Sequence, residues 1–309
     1  MSVQLDGDWL VDRSKRGEVA ALKVLRRLHS ARTEFQQAEL IETETYGRAL
    51  VLDGSIQAAA ADEYIYHESL VHPALLACQN PARVAVLGGG EGATIREVLK
   101  HRGVEKVTMI DIDREVVDFC RRYLPSFGKQ AFEDERLELV FEDARQWMAD
   151  QAPASLDAVI IDITEPLEGG PAFMLFTREF YRLVRRALVP NGVMVVQAGP
   201  ADPVGHIIFS RIFCTVEAVF DSARALVSYI PSFADQWGFV VGLAADARLP
   251  DPEEIDGLIK SRTTGELRFY DGQTHAHISS LPLYLRRGLA GELEPFTDND
   301  PPRMGPGIR

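Results

Sequence analysis

The sequence predicts an α/β protein in which a doubly wound parallel sheet follows a small antiparallel β domain. Three observations support this fold class. Short apolar runs separated by turn signals fill the chain up to about residue 60. From residue 83 onward, strand-like and helix-like segments alternate, as they do in doubly wound sheets. A glycine-rich loop at residues 88–92 lies between the first strand-like segment of that region and the helix-like segment after it.

The composition is that of a globular protein with an acidic surface. The chain has 309 residues, of which 46% are hydrophobic and 26% are charged, and this excludes the disordered and low-complexity classes. Its three cysteines, Cys78, Cys120 and Cys214, are far apart and predict neither a disulfide framework nor a zinc site. The formal net charge of −13 disfavours nucleic acid and anionic membranes as partners and is compatible with a cationic ligand.

No targeting or membrane-spanning segment is expected. The apolar runs are shorter than the roughly 20 residues that cross a bilayer. The first nine residues are acidic and lack the basic and apolar regions of a signal peptide. We therefore expect a cytoplasmic protein that does not associate with membranes.

The N-terminal region predicts one helix and then a β unit. Val19, Leu22, Leu25 and Leu28 recur near helical spacing, so an amphipathic helix is expected over residues 18–28. Short apolar runs follow, and the Asp-Gly pair at residues 53–54 is a strong hairpin signal. Strands are expected at residues 38–43, 48–52 and 55–58.

The rest of the chain predicts the doubly wound sheet. Its apolar runs are mostly continuous, which is typical of parallel strands buried on both faces. The predicted strands are 84–87, 106–111, 137–141, 158–161 and 193–197, and the predicted helices are 63–76, 93–101, 114–123 and 176–188. We expect a β domain with short helices over residues 1–75, a Rossmann-like catalytic domain over 76–290, and a Pro/Gly-rich tail over 291–309.

The glycine-rich loop, Gly88-Gly-Gly-Glu-Gly92, predicts a nucleotide site. Glycines there allow a sharp turn and a close approach of the backbone to a ligand. The spacing of Gly88, Gly90 and Ala93 also fits a loose dinucleotide fingerprint, which by itself does not distinguish NAD from other nucleotides. Because Glu91 would repel a pyrophosphate and attract a cationic sulfonium nucleoside, it favours adenosylmethionine chemistry over NAD.

Acidic residues end the neighbouring predicted strands. Asp111 follows the loop by about 20 residues, where a carboxylate can accept both ribose hydroxyls. Asp143 could accept from an adenine amino group, although it could equally cap a helix. The fourth strand ends with Asp162 and Glu165, and such a pair tolerates burial when cations lie nearby. One of the two could take a proton from an attacking amine, while a solvated loop pair is the alternative.

At these residues the sequence resembles the polyamine aminopropyltransferases, the spermidine synthase family. The resembling motifs occur in family order between about residues 36 and 240. They are Tyr46-Gly-Arg-Ala-Leu-Val-Leu-Asp-Gly54, Asp62-Glu-Tyr-Ile-Tyr-His-Glu68, Gly88-Gly-Gly-Glu-Gly92, Ile110-Asp-Ile-Asp113 and Asp162-x-x-Glu-Pro166. Stretches at residues 115–122, 166–171, 197–200 and 231–238 are most similar to thermospermine synthases within that family.

The resemblance implies a methyltransferase-type Rossmann-like domain that transfers an aminopropyl group from decarboxylated S-adenosylmethionine, with no metal or prosthetic group. Asp162 would accept the proton, and Tyr66 would help to orient the attacking nitrogen. Glu165 and Asp235 would bind distal ammonium groups, and Phe233 and Trp237 would line the acceptor channel, although core packing explains both rings equally well. Gln36, Gln57, His67, Gly88, Gly90, Glu91, Asp111, Asp143 and Ala144 would bind the donor.

The resemblance also implies a small polyamine substrate and a homodimer or homotetramer. Two departures from the family pattern concern the acceptor. Many members have Asp where this chain has Glu165, and spermidine synthases usually have Tyr at the position of Phe233. The second departure weakens putrescine as the acceptor and agrees with a longer amine. With the stretches similar to thermospermine synthases, the preferred acceptor is spermidine and the preferred product thermospermine. Putrescine or agmatine as acceptor, a methyltransferase using intact adenosylmethionine, and a non-catalytic polyamine or nucleoside sensor are the alternatives, and an NAD dehydrogenase fits least.

Overall fold

The computed structural model describes residues 6–12, 19–166, 170, 172–245 and 247–303, which form two sheets with helices around the larger one. The five-stranded sheet is antiparallel throughout, with its strands in chain order. Its strands are β1 (Asp8–Asp12), β2 (Ala20–Arg32), β3 (Gln37–Thr43), β4 (Gly47–Leu52) and β5 (Ser55–Ala59). The three strands predicted between residues 38 and 58 are confirmed, and Asp53 and Gly54 both have the positive φ of a hairpin turn.

The helix predicted over residues 18–28 is wrong, because the chain from Ala20 onward is strand β2; Glu18 itself lies outside the described residues. β2 pairs with β1 on one side and β3 on the other, so sheet pairing overrides the local pattern. Two irregularities in the β2–β3 register interrupt the two-residue alternation of faces. Val24 is buried while its neighbour Leu25 is exposed, as expected for successive residues of a strand, and the apolar spacing only imitates that of a helix.

The second sheet has seven strands in the order β11-β12-β10-β9-β6-β7-β8. Five are parallel, and the last two in the chain, β11 and β12, add an antiparallel edge that the sequence did not indicate. The five parallel strands are confirmed, with ends that differ by a few residues from those predicted. The strands are β6 (Arg83–Gly88), β7 (Lys106–Asp111), β8 (Leu137–Phe141), β9 (Leu156–Asp162), β10 (Leu188–Pro200), β11 (Ser222–Ile230) and β12 (Asp235–Leu243).

Helices cover both faces of this sheet, which confirms the doubly wound α/β class. The four helices predicted after residue 62 are α1, α2, α3 and α6. The helices are α1 (Glu63–Ala77), α2 (Ala93–Leu99), α3 (Arg114–Tyr123), α4 (Pro125–Gly128), α5 (Ala144–Asp150), α6 (Arg178–Ala187), α7 (His206–Glu217), α8 (Pro252–Arg262), α9 (Gly272–Ser279) and α10 (Leu283–Leu289), and single 3₁₀ turns form at Ala131–Glu133, Phe173–Phe176 and Pro231–Phe233.

The core lies on the two faces of the parallel sheet. Ala158 and Ile160 of β9 pack in one buried cluster with α1, whereas Val159 and Ile161 pack in the other with α6. This alternation explains the continuous apolar run of the strand, because both faces are buried. Among the described residues, no helix is long and apolar enough to span a bilayer.

The domain boundaries predicted after residues 75 and 290 stay predictions. The structure shows which contacts the segments near them make. The first sheet ends at Ala59, and α1 packs on the second sheet. In the predicted tail, Phe296 is buried and its carbonyl accepts from the amide of Arg178. Asp298 forms an ion pair with Arg145 of α5. Residues 304–309 lie outside the described part of the chain.

Candidate active site

A cavity of about 370 Å³ opens at the carboxyl ends of the parallel strands and is covered by residues of β4 and β5. This is the place where open α/β sheets bind ligands. Every site residue predicted from the sequence lines this cavity. They are Gln36, Gln57, Tyr66, His67, Gly88, Gly90, Glu91, Asp111, Asp143, Ala144, Asp162, Glu165, Phe233, Asp235 and Trp237. Their individual roles stay predictions.

The glycine loop brings three strand ends close together. Gly88 has a φ of +81°, and a Cβ on it would collide with the backbone carbonyl of Asp162. That carbonyl accepts a hydrogen bond of 2.9 Å from the amide of Gly89. A Cβ on Gly90 would come within 2.8 Å of a carboxylate oxygen of Asp111. The loop therefore needs glycine to hold the acidic strand ends side by side as well as to leave room for a ligand.

A buried histidine joins α1 to the glycine loop through two carboxylates. The Nδ1 of His67 lies 3.0 Å from a carboxylate oxygen of Glu63, and its Nε2 lies 2.9 Å from one of Glu91. Burial opposes a charge on His67, but the hydrogen bonds to Glu63 and Glu91 outweigh it and raise the pKa to about 10. His67 is therefore an imidazolium at neutral pH, donating from both ring nitrogens.

The ion pairs continue behind the cavity. Arg96 of α2 donates to Glu63 at 2.8 Å and to Glu97 at 2.8 Å. Burial opposes ionisation of Glu63, but His67 and Arg96 outweigh burial and lower its pKa to about 2. Glu91 is partly buried, and although desolvation opposes its ionisation, the hydrogen bond from His67 lowers its pKa. Arg96 thus helps to keep Glu63 ionised, Glu63 keeps His67 charged, and His67 keeps Glu91 ionised.

Asp162 lies at the centre of the cavity with both carboxylate oxygens hydrogen-bonded. The hydroxyl of Tyr66 donates to Oδ1 at 2.7 Å, and the hydroxyl of Thr94 donates to Oδ2. Burial, reinforced by repulsion from Glu91, raises the pKa of Asp162 above its ordinary range. Burial also raises the pKa of Tyr66 well above its ordinary value, so its hydroxyl keeps the proton that it donates. Asp162 is the better base of the two central acids, and Glu91 is the permanent anion.

The acids at the donor side are held by backbone and side-chain hydrogen bonds. Burial, which outweighs the hydrogen bond from the amide of Asp113, raises the pKa of Asp111 to about 7. Asp113 accepts from the side chain of Gln36 at 3.0 Å and so fixes that residue at the cavity wall. Asp143 caps α5 by accepting from the amides of Arg145 and Gln146, which confirms the capping alternative while the residue still lines the cavity.

Aromatic rings form the opposite side of the cavity. The ring centroid of Phe233 lies 6.0 Å from that of Tyr66 and 5.0 Å from that of Trp237, edge to face in both pairs. The indole of Trp237 donates to the side-chain oxygen of Gln197 at 3.1 Å, and the amide nitrogen of Gln197 donates to the carbonyl of Ile163 at 2.7 Å. Phe233 and Trp237 therefore both pack with the core and line the cavity, and their place along an acceptor channel stays a prediction.

The charge of the lining selects for a cation. Seven carboxylate residues line the cavity: Asp12, Glu91, Asp111, Asp143, Asp162, Glu165 and Asp235. Among the described lining residues His67 is the one basic side chain, and Lys and Arg are absent. The carboxylates outnumber the one imidazolium, so a pyrophosphate or a free carboxylate would meet net repulsion there, whereas a ligand carrying several positive charges would be attracted.

One trio of side chains also has the spacing of a metal site. A ligand atom from each of His67, Glu91 and Asp162 lies within 4.8 Å of the other two. A metal needs the lone pair of a neutral imidazole, whereas His67 uses both ring nitrogens as donors and has a pKa of about 10. The chemistry of the trio therefore fits an ion pair better than a metal.

Several functional residues were not predicted from the sequence. Thr94, Glu63 and Arg96 contribute to the electrostatics of the site. The one sequence pattern that could have indicated any of them is the four-residue spacing of Glu63 and His67, which places both on one face of a helix. Gln197 lies in a stretch that resembles thermospermine synthases, but its position in the sequence did not indicate that it accepts a hydrogen bond from Trp237. Residues 167–169 and 171 of the similar stretch 166–171 lie outside the described residues.

Comparisons with known proteins cover nearly the whole chain. Residues 63–248 match the spermine/spermidine synthase domain, and residues 9–60 match the spermidine synthase tetramerisation domain. Polyamine aminopropyltransferase 2 of Hyperthermus butylicus is 41% identical over 302 residues, covering 97% of this chain and 98% of the relative. Thermospermine synthase ACAULIS5 of Arabidopsis thaliana is 40% identical over 276 residues, covering 88% and 80%.

Solved structures agree with these relatives. A spermidine synthase crystallised with the transition-state analogue AdoDATO aligns with a TM-score of 0.83 at 26% identity, covering 94% of this chain and 98% of that one. Spermidine synthase from Thermotoga maritima aligns with a TM-score of 0.81 at 26% identity, covering 94% and 97%. The likeness extends over both sheets.

The charge on His67 predicts a loss of stability at alkaline pH. Its pKa is raised in the folded protein, whereas a histidine in an unfolded chain titrates near about 6.5. The stabilisation is therefore complete below about pH 6.5 and disappears as the pH rises toward 10. We expect the Tm of the wild type to fall more steeply between about pH 7 and 10 than that of His67→Gln.

The control for this measurement is His277→Gln, which changes an exposed histidine of α9 and should keep the wild-type slope. Thermal unfolding followed by circular dichroism gives all three slopes. Parallel curves for the wild type and His67→Gln would mean that His67 is neutral.

Proposed function

The chain belongs to the spermine/spermidine synthase family, and on that premise we propose that it transfers an aminopropyl group from decarboxylated S-adenosylmethionine to spermidine, forming thermospermine and 5′-methylthioadenosine. The observation that carries this proposal is the cavity lining, with seven carboxylate residues and one basic residue among those described. Both substrates are cations without a carboxylate or a phosphate, as this lining requires. Intact adenosylmethionine would bring a carboxylate close to Glu91, which argues against a methyltransferase.

The reaction is a direct displacement. A neutral amine nitrogen forms a bond to the propyl carbon next to the sulfonium, the carbon–sulfur bond breaks, and its electron pair stays on the sulfur of methylthioadenosine. One proton must leave the attacking nitrogen. The sulfonium is already a good leaving group, so the protein contributes alignment, exclusion of water and a proton acceptor.

Asp162 is the proton acceptor in this proposal. An ammonium with a pKa near about 10 gives up its proton more readily to a carboxylate whose own pKa is raised. Burial and the neighbouring Glu91 raise the pKa of Asp162, while Tyr66 and Thr94 fix its orientation. Glu91, kept ionised by His67, would attract the positive end of the donor.

The donor and the acceptor would occupy different parts of the cavity. Gln36, Gln57, Gly88, Gly90, Asp111, Asp143 and Ala144 would bind the nucleoside together with His67 and Glu91. Glu165 and Asp235, each buried and lining the cavity, would bind the distal ammonium groups of the polyamine. Phe233 and Trp237 would lie along its methylene chain. Phe233 lacks the hydroxyl of tyrosine, and this supports an acceptor longer than putrescine.

The assembly in this proposal is a homo-oligomer acting in the cytoplasm. The match of residues 9–60 to a tetramerisation domain supports a tetramer. β2, in that region, exposes the large apolar side chain of Leu25, which an oligomer interface would cover.

A product assay tests the proposed function. The protein is incubated with decarboxylated S-adenosylmethionine and, separately, with putrescine, agmatine, norspermidine or spermidine, and the products are separated by chromatography and identified by mass spectrometry. We expect a tetraamine formed mainly from spermidine that elutes with thermospermine rather than spermine. A preference for putrescine or agmatine would support aminopropyl transfer but exclude spermidine as the preferred acceptor. Binding of the amine or the nucleoside without release of methylthioadenosine would identify a sensor.

Replacing the proton acceptor should separate catalysis from binding. In Asp162→Asn the shape and the hydrogen bond from Tyr66 can be kept while the base is lost, so kcat should fall by about 10²–10⁴-fold. The affinity for methylthioadenosine, measured by calorimetry, should change little. Asp118→Asn, an exposed change on α3, is the matched control. Turnover near the wild-type rate would remove Asp162 from the mechanism.

Neutralising Glu91 should affect the charged donor selectively. In Glu91→Gln we expect the Kd of decarboxylated S-adenosylmethionine to rise about tenfold or more, because one short-range attraction to its charge is lost. Methylthioadenosine, which lacks the sulfonium and the propylamine, should lose much less affinity. Both are measured by calorimetry, with Glu115→Gln on the exposed side of α3 as control. Equal losses of affinity for the two ligands would show that Glu91 does not interact with the positive charge of the donor.

A further inference from the structure

The loop between β11 and β12 carries much of the acceptor side of the cavity. It contains the 3₁₀ turn Pro231–Phe233, followed by Ala234 and the buried Asp235. Ala234 has a φ of +53°, a left-handed conformation that residues other than glycine seldom adopt. Such a backbone persists only when its surroundings hold it. The position of Phe233 and Asp235 therefore depends on what anchors this loop.

Asp62 supplies one anchor. It is the N-cap residue of α1, yet its side chain makes no capping hydrogen bond to its own helix. Instead its Oδ2 accepts a hydrogen bond of 2.6 Å from the backbone amide of Ser232, and the residue is only 4% exposed. A side-chain cap typically stabilises a helix by roughly 1 kcal/mol. The carboxylate of Asp62 forgoes that cap and binds the amide of a loop that is distant in the sequence.

Tyr46 supplies the second anchor from the turn between β3 and β4. Its hydroxyl donates to the carbonyl of Pro231 at 3.0 Å, and the same carbonyl accepts from the amide of Ala234, closing the 3₁₀ turn. The backbone carbonyl of Tyr46 accepts from the amide of Ala61, next to Asp62, at 3.2 Å. The two anchors thus belong to one connected piece of backbone.

The ring of Phe233 also attaches the loop to the five-stranded sheet. It contacts the buried cluster of the five-stranded sheet, which includes Ile56 and Val51, and also the cluster of the larger sheet. Tyr46 belongs to the edge of the first of these clusters. The acceptor loop is therefore held by a hydrogen bond from Tyr46 and an aromatic contact on the side of the five-stranded sheet, and by a hydrogen bond to Asp62 at the start of α1. Neither Tyr46 nor Asp62 is part of the described cavity lining.

We propose that Asp62 and Tyr46 are positioning residues for the amine acceptor: by fixing the loop of residues 231–235 they set the place of Phe233 and Asp235, and hence which polyamine fits. This inference rests on the proposed function, because it concerns the acceptor end of the same cavity. Neither residue touches the substrate, so each acts on amine affinity through the loop and leaves the nucleoside end unchanged.

The test compares Asp62→Ala, Asp62→Asn and Tyr46→Phe with the wild type. Asp62→Ala removes the acceptor of the Ser232 amide, so the KM for the amine should rise about tenfold, the scale expected for losing one charged hydrogen bond. The KM for the donor should stay within about twofold. Tyr46→Phe should give a change in the same direction and smaller, because the turn keeps its internal hydrogen bond.

Asp62→Asn separates positioning from stability. The amide oxygen of Asn can still accept from Ser232, so amine KM should return close to the wild-type value. The second oxygen of Asp62 is buried and has no hydrogen-bond partner in the described residues, so the NH₂ group that replaces it would be unsatisfied and the Tm should fall. A lower Tm with a normal amine KM in Asp62→Asn, together with a raised amine KM in Asp62→Ala, is the combination that a purely structural role does not produce.

Asp221→Ala is the matched control. Its carboxylate also accepts from a backbone amide, that of Ala245 at 2.7 Å, but lies outside the described cavity lining. Hydrogen exchange of the Ser232 amide should accelerate in Asp62→Ala and stay at the wild-type rate in Asp221→Ala. Equal changes in amine and donor KM for Asp62→Ala, or no change in either, would overturn the inference.

Amine binding provides a second readout that does not need turnover. Spermidine is titrated into each variant saturated with methylthioadenosine, and the affinity should follow the same order as the KM values. If the wild type binds the amine but forms no product, the proposed function fails while the titration still decides on Asp62 and Tyr46. If the wild type turns over and Asp62→Ala binds spermidine normally, only the positioning role fails.

Discussion

The site depends on one buried imidazolium held between two carboxylates. His67 bonds to Glu63 on its own helix and to Glu91 in the glycine loop, and Arg96 balances Glu63 from behind. Without this positive charge, Glu91 and Asp162 would compete for a proton as like charges in a dry cavity do. With it, Glu91 stays ionised and Asp162 takes the raised pKa, so neighbouring acids acquire different chemistry from their surroundings alone.

The cavity has two halves built from different parts of the chain. In the proposed function, the nucleoside half would be formed by the ends of β6, β7 and β8 beneath the five-stranded sheet, and the amine half by the loops around β10 and β12. β9 lies between them and carries Asp162 at its end, where the reacting nitrogen and carbon would meet. Anchors from the smaller sheet reach both halves, since β4 and β5 line the nucleoside half and Tyr46 holds the acceptor loop.

Most of the nucleoside half could be predicted from the sequence because its residues follow strands that are recognisable alone. Asp111 ends β7 in that half and Asp162 ends β9 beside it, and the ends of parallel strands meet at one edge of the sheet. The strand β2 could not be predicted, because its apolar residues follow bulges that only the pairing with β3 creates. Arg96 was missed for a related reason: its role depends on the packing of α2 against α1, which is a tertiary contact without a local pattern.

The order of strands also matters while the chain is being synthesised. In chain order the sheet extends outward from β6, and β6, β7, β8 and β9 have all been synthesised once the chain reaches Asp162. At that stage β9 is an outer strand whose backbone has no partner on one side, and five of its seven residues are apolar. Such an edge invites pairing with other chains until β10 arrives to cover it. The edge of β9 is thus unpaired until residues 188–200 join the sheet, and its backbone is then paired on both sides, with β6 and with β10.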